Sequence, residues 1–271
     1  MYRCKSLIET ERETPSSEKR LSICLRPNGF SFSEVTSSGV LLTYGEAEGE
    51  HASTMTAQMA NVKAFFSEVG VRPLGYAKME LVVLSEESVW VPDDLYTPTA
   101  HREYLKLVGG KGTDLMATPC KALGATAVYA YNEAIAMGFK VALPGLAVMN
   151  QHVKLASLGL ERRSQGHPLL LTHWRDGAID FAAFRDGRYI YGNTVRYASE
   201  SEAQFHTVEV LKSFGLENSG TELLMCGEVG RERFALLRPY FPQATLYTGT
   251  HTGFGNPAFK TLHTYRNALI L

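Results

Sequence analysis

An internal duplication constrains this chain more than any other feature. Pro27-Asn28-Gly29-Phe30-Ser31-Phe32 followed by Ser38-Gly39-Val40-Leu41-Leu42 has a counterpart in Arg175-Asp176-Gly177-Ala178-Ile179-Asp180-Phe181 followed by Asp186-Gly187-Arg188-Tyr189-Ile190. Gly29 to Gly177 and Gly39 to Gly187 are both 148 positions apart. A helical stretch follows in each copy, then an apolar strand ending in Leu84-Ser85-Glu86 or Cys226-Gly227-Glu228. Solenoid repeats run about 20–50 residues, so a period this long specifies two copies of a domain-sized unit. Two such units packed face to face enclose a cleft, the default place for binding or chemistry.

Each copy reads as a meander. Leu21, Ile23 and Leu25 alternate with Ser22, Cys24 and Arg26, the period of a strand. Pro27-Asn28-Gly29 turns it back through Phe30 and Phe32, and Ser37-Ser38-Gly39 turns it again into Val40. A helix over 55–69 places Met55, Met59, Val62, Phe66 and Val69 on one stripe, with Gly70 to end it. Leu81-Val82-Val83-Leu84 then suits a strand covered on both faces. In the second copy Ser199 caps a helix that runs to about Phe214. The first copy alone carries an insert at about 86–125. Gln151–Leu155 and Leu262–Arg266 match as the tails of the copies, which gives His152 and His263 a common structural role. The expected organisation is a mobile tail over 1–20, a first half over 21–160 and a second half over 161–271.

The remaining bounds are ordinary. A net charge of −1 gives no field to attract nucleic acid or an anionic membrane. The densest basic groups, Lys19-Arg20 and Arg162-Arg163, are too small for a binding stripe. Cys4, Cys24, Cys120 and Cys226 form no C-x-x-C pair, and Cys24 and Cys226 sit in apolar runs, which fits a reducing compartment and inert core thiols. No secretory signal and no run of about 18 apolar residues is present. The expectation is a cytoplasmic protein without membrane insertion or nucleic-acid binding.

The duplicated order of three strands, helix, strand, helix, strand resembles the actin-like ATPase superfold of actin, sugar kinases and heat-shock chaperone ATPases. That resemblance implies an α/β fold of two ribonuclease-H-like βββαβαβα halves around a nucleotide cleft. More closely, the chain resembles an uncharacterised bacterial family of that fold, on Asp186-Gly187-Arg188-Tyr189-Ile190-Tyr191-Gly192-Asn193, Ser199-Glu200-Ser201-Glu202 and Cys226-Gly227-Glu228. Assembly-platform proteins of pilus and secretion machines are similar in fold.

Members of the superfold that hydrolyse ATP carry an aspartate late in the first strand of each half, followed by a Gly/Thr/Ser-rich turn whose N–H groups meet phosphate oxygens. The aspartates hold magnesium through its water shell. On this resemblance Cys24 and His173 stand at the two aspartate positions, and Pro27, Trp174 and Arg175 stand where small residues belong. Glu228 replaces the second glycine of an adenosine-side Gly-Gly pair. The vestigial cleft is therefore assigned to Asn28, Gly29, Arg175, Asp176, Gly177, Gly227 and Glu228, with no catalytic residue, no metal and no required cofactor. A slip of a few residues would bring Asp176 or Asp180 to the metal position. The reading is a non-catalytic scaffold or regulatory protein acting on an unidentified protein partner, with a homodimer left open. The alternative is an ATP-binding ATPase or small-molecule kinase with a rewired phosphate site. A ribonuclease-H-like nuclease ranks last, because Leu21 to Arg26 supplies no carboxylate.

Other motifs read as structural. Gly109-Gly110-Lys111-Gly112-Thr113 lacks the spacing of a phosphate loop. His251 has no partner at metal-ligand spacing, and His206 reads as a surface or half-buried helix residue. Trp90 and Trp174 suit either a partner surface or the core.

Overall fold

The computed structural model of the chain describes residues 1–10, 15–71, 75–162, 167–217 and 220–271. Residues 11–14 of the N-terminal stretch and Arg163 lie outside these.

In the first half, β2 (Lys19–Arg26), β3 (Gly29–Thr36) and β4 (Val40–Glu48) form the antiparallel meander. The helix α1 (Met55–Glu68) then leads to β5 (Lys78–Val83), which pairs parallel with β2. An insert of β6 (Ser88–Pro92), α2 (His101–Leu107), β7 (Leu115–Cys120) and β8 (Ala125–Ala130) forms its own three-stranded sheet. It extends past residue 125 because β8 is its central strand. The chain returns through α3 (Glu133–Ala142) and β9 (Ala147–Asn150), the latter parallel to β5, and continues into α4 (Gln151–Arg162).

The second half repeats the scheme with β10 (Leu169–Arg175), β11 (Ala178–Arg185), β12 (Arg188–Arg196), α5 (Glu200–Ser213), β13 (Glu222–Gly227), α6 (Arg231–Leu237) and β14 (Ala244–Leu246). The strand order β4-β3-β2-β5-β9 in one sheet equals β12-β11-β10-β13-β14 in the other. Ser199 caps α5 as read, its hydroxyl accepting from the Glu202 N–H.

Both faces of the first sheet are covered, and β5, the strand read as covered on both sides, is buried from Met79 to Val83. One face packs Ile23, Phe30, Phe32, Leu81 and Val83 against Val62, Phe65 and Phe66 of α1 and Phe139 of α3. Each fully buried aromatic there contributes roughly 1.5–3 kcal/mol of transfer free energy. The opposite face, with Cys24, Val35 and Val82, meets Leu155 and Leu158 of α4, the second sheet and Ala268–Leu271. The helix α4 is thus shared by the two halves. Gly159 permits this, since a Cβ there would come within 2.2 Å of the Phe184 ring on β11.

Four details differ from the sequence reading. Residues 1–20 are not a mobile tail throughout: Arg3–Glu9 forms β1, antiparallel to the edge of β4. Tyr2 anchors it, buried edge-on against Phe30 at 5.0 Å. A second-half strand, β15 (Gly253–Phe254), extends the same edge in parallel with Val40 and Leu41. The buried stripe of α1 is Gln58, Val62, Phe65 and Phe66, and Met55 is exposed, because Gln58 packs on Gly138 of α3 and hydrogen-bonds the Tyr2 hydroxyl. His152 and His263 do not share a role. The first is buried in α4, and the second is exposed ahead of a short 3₁₀ turn.

The duplication itself shifts by one residue at the first turn. Arg26 pairs with Gly29, and Arg175 pairs with Ala178, so the strand offset is 149 there. Gly29 (φ +125°) already belongs to β3. A Cβ on it would lie 2.0 Å from the Ala47 carbonyl oxygen, so close approach to β4 demands glycine. Gly177 (φ +67°) lies inside its two-residue loop.

Candidate functional site

The β2–β3 and β10–β11 hairpins and the end of β13 surround a cleft of about 860 Å³ between the halves. Cys24, Leu25, Arg26 and Pro27 come from the first hairpin, and His173, Trp174, Arg175 and Asp176 from the second. Gly227 and Glu228 follow β13, while Leu269 and Ile270 supply an apolar wall. Of the residues expected from sequence, Arg175, Asp176, Gly227 and Glu228 meet here. Asn28, Gly29 and Gly177 do not line the cleft, because their carbonyl or Cα faces the neighbouring strand region at Ala47–Gly49 or at Tyr197.

Sequence reasoning missed Arg26, Arg233, Arg266 and Asn267, which also line it. The signal for Arg26 was present: it ends β2 as Arg175 ends β10. Each cleft arginine is held by the protein itself. Nη2 of Arg26 donates to Oδ1 of Asn267 at 2.7 Å and lies 3.4 Å from Glu46, which also accepts from the Tyr44 hydroxyl at 2.5 Å. Burial would raise the Glu46 carboxyl, but the Tyr44 bond and the Arg26 charge outweigh it and lower it. Arg233 donates through Nε to Glu200 at 2.7 Å, and its guanidinium lies 5.2 Å from the Trp174 ring and 5.6 Å from that of Tyr197. Nε of Arg266 is 3.8 Å from Glu228. Trp174 itself is a core residue, its indole N–H donating to Thr172 at 3.0 Å.

Behind the second hairpin lies a closed polar network centred on Asp180 of β11. Register pairing places His173, Asp180 and Thr194 in one row across three strands. Oδ2 of Asp180 accepts from Nδ1 of His173 at 2.9 Å and Nε of Arg175 at 2.9 Å. Oδ1 accepts from Nη2 of Arg175 at 2.8 Å, the Thr194 hydroxyl at 2.6 Å and Nε2 of Gln151 at 3.0 Å. Because a carboxylate only accepts, Nδ1 of His173 carries the proton. Burial alone would raise the Asp180 carboxyl; the His173 bond and the Arg175 charge override it and hold it far below the usual carboxylate range. Nε2 of His152 lies 2.9 Å from the Thr194 hydroxyl, which already donates to Asp180, so Nε2 is the donor. This leaves Nδ1 of His152 buried without a partner among the described residues.

The geometry does not fit a magnesium–nucleotide complex at these hairpins. Cys24 and His173 occupy the equivalent strand positions, and burial pushes the Cys24 thiol up to about 11. Asp180 is fully buried, with both oxygens occupied by five donors, and cannot reach a hydrated ion in the cleft. Asp176 is exposed on the cleft wall. Among the described residues no group of three His, Cys, Asp or Glu side chains converges. The glycine loop at 109–112 is likewise filled from within, its Lys111 and Gly112 N–H groups donating to Glu87 at 2.9 and 2.7 Å. His206 lies between Glu202 and Glu209 on α5, and His251 packs on Phe254.

Two ribonuclease-H-like sheets of equal strand order around one cleft define the actin-like ATPase fold. A solved Bacteroides thetaiotaomicron protein with that fold and unknown function is similar at a TM-score of 0.68 and 16% identity, over 88% of this chain and 93% of that one. A chain of the PilM–PilN type IV pilus biogenesis complex is similar at 0.59 and 12% identity, over 94% of this chain and 97% of that one. No curated protein matches the chain. Residues 9–244 match the model of a family described as protein of unknown function (DUF3822), and the chain belongs to that family. No helix among the described residues is long and apolar enough to cross a membrane.

Proposed function

We propose that this protein is a non-catalytic actin-like scaffold or regulatory protein that works through a protein partner in the cytoplasm. One observation carries the reading. Asp180 is the carboxylate that a small register slip would bring to the metal position, and it is sealed behind His173 and Arg175 and bonded to Gln151 of the other half. A buried, saturated carboxylate fixes structure and cannot reorganise around a metal ion. The similarity in fold to a chain of the PilM–PilN complex supports a role exercised by assembly. The purified chain with Mg-ATP should release no phosphate above background. Turnover that disappears in Asp176→Asn would overturn the reading.

A second reading is favoured by the arginines of the cleft, two of which, Arg26 and Arg175, end equivalent strands. In it the cleft binds ATP, either as a rewired ATPase or kinase or without metal, and its volume lies in the range of small-ligand sites. Thermal denaturation discriminates the two. Ligand at about 100 times its Kd stabilises a protein by about 2.7 kcal/mol, whereas a cleft that takes no nucleotide leaves the midpoint unmoved.

A further inference from the structure

At the end of the first sheet remote from the cleft, a second cavity of about 420 Å³ opens beside β2 and β5. Arg26 lies six residue steps along β2 from Arg20, which at about 3.3 Å per step puts the two sites some 20 Å apart. Lys19, Arg20, Lys78, Ser38, Thr252 and Glu161 are among its lining residues.

Arg20 and Lys78 are register partners on adjacent parallel strands. Like charges placed side by side in a sheet are destabilising unless a negative group joins them. The lysines have such groups. Nζ of Lys78 lies 2.8 Å from Glu80, which also binds Lys154 of α4, and Nζ of Lys19 lies 3.6 Å from Glu34. Arg20 forms no ion pair with the described residues, and its Nε is buried without a hydrogen-bond partner. Glu161 stands exposed at the rim. Lys19 pairs with Glu34, and Lys78 and Lys154 share Glu80, so among the described residues Arg20 is the cation of this group that no carboxylate holds, and it is a planar guanidinium suited to two parallel bonds with an oxyanion.

We propose that this cavity binds the phosphate group of a phosphomonoester or of inorganic phosphate, with Arg20 as its principal ligand and Lys78 in support. The cavity exceeds the size of the anion alone, which leaves room for the molecule or side chain that carries it.

The test is titration of the full chain with inorganic phosphate, followed by calorimetry and by amide shifts, with phosphoserine and a phosphoserine peptide as separate arms. Shifts are expected at Lys19, Ser38 and Thr252. Arg20→Gln should weaken binding by about tenfold or more, Lys78→Gln less, and Arg20→Lys should retain part of it. Tighter binding of the peptide than of phosphoserine identifies a phosphorylated protein as the source, and equal binding identifies a small phosphomonoester. Should Arg20→Gln not fold, the amide shifts of the unmodified chain decide, since shifts confined to the cleft overturn the proposal. It also fails if wild type shows no binding at about 10 mM phosphate, two orders weaker than a 0.1 mM site. Loss of binding in Arg266→Gln with retention in Arg20→Gln would assign the anion to the cleft and end it.

Discussion

Nε2 of Gln151, the first residue of α4, donates to Oδ1 of Asp180 at 3.0 Å and so joins the first half of the molecule to the second half's sheet. The same amide accepts from the Ser85 N–H at 2.9 Å and donates to the Ser85 carbonyl. One buried side chain therefore ties the end of the β5 region, α4 and β11 into a single unit.

Removing the carboxylate should be costly. Asp180→Ala leaves the Arg175 guanidinium and Nδ1–H of His173 without their acceptor and takes one acceptor from the Gln151 amide, which keeps the Ser85 carbonyl. Breaking a buried, hydrogen-bonded ion pair from one side typically costs about 3–5 kcal/mol. The urea midpoint should fall accordingly. A loss below about 1 kcal/mol would show that water replaces the carboxylate and that the network is open to solvent.

His152 gives the fold a pH dependence of defined sign. Burial lowers its pKa to about 4, with the Asp180 charge opposing that shift and Arg175 and His173 adding to it. Unfolded, a histidine titrates near 6.5. Between these values the unfolded chain binds the proton and the folded chain does not, so stability is complete above about pH 6.5 and falls toward pH 4. Glu80 acts in a lower window. Burial raises its carboxyl, but Lys154 and Lys78 lower it to about 2, so its contribution is present above about pH 4.5 and is lost as pH falls toward 2. Urea midpoints measured across pH 7 to 3 should show both slopes. His152→Gln should flatten the upper one and leave the lower, and an unchanged upper slope would assign it to another group.

The parts of the fold that sequence revealed are those with local chemical signals. Asp186 (φ +52°) and Gly187 (φ +69°) both take the positive φ of a tight primed turn, and Ser199 caps α5 in its expected place. What remained hidden depends on distant partners. β1 carries Arg3, Lys5 and Glu9 and shows no apolar alternation, because an edge strand needs only backbone pairing with β4 and the anchor at Tyr2. Asp180 was legible as an acid near the second hairpin, but not as a saturated one. Thr194 and Gln151 reach it from 14 and 29 residues away on other elements. The one-residue slip in the duplication followed from matching glycines, when Gly29 serves a close approach and Gly177 a turn.

Thiol chemistry should separate the cysteines. Cys24, Cys120 and Cys226 are buried, and burial raises the pKa of each, to about 11 for Cys24. Cys4, on the edge strand β1, is exposed. With an aromatic disulfide reagent at about pH 8, near the pKa of a free thiol, one thiol per chain should react promptly and all four in denaturant. Prompt reaction of a second thiol at Cys24 would mean that the cleft wall opens.

Gly227 tests the cleft's construction most directly. It has φ +84°, and a Cβ there would lie 2.2 Å from the Trp174 carbonyl oxygen and 2.9 Å from Cδ2 of His173. The carbonyl is backbone and cannot rotate aside, and it accepts the Glu228 N–H at 2.7 Å, a bond that fixes the β13 wall to the second hairpin. Gly227→Ala therefore combines a strained φ with a steric clash and should destabilise by about 1–3 kcal/mol. Gly220→Ala is the control, since a Cβ there meets none of the described residues within 4 Å and its φ is not positive. That change should be neutral or stabilising by up to about 1 kcal/mol. Equal effects of the two substitutions in urea denaturation would show that the β13–β10 approach yields easily, and that the cleft can widen at this wall.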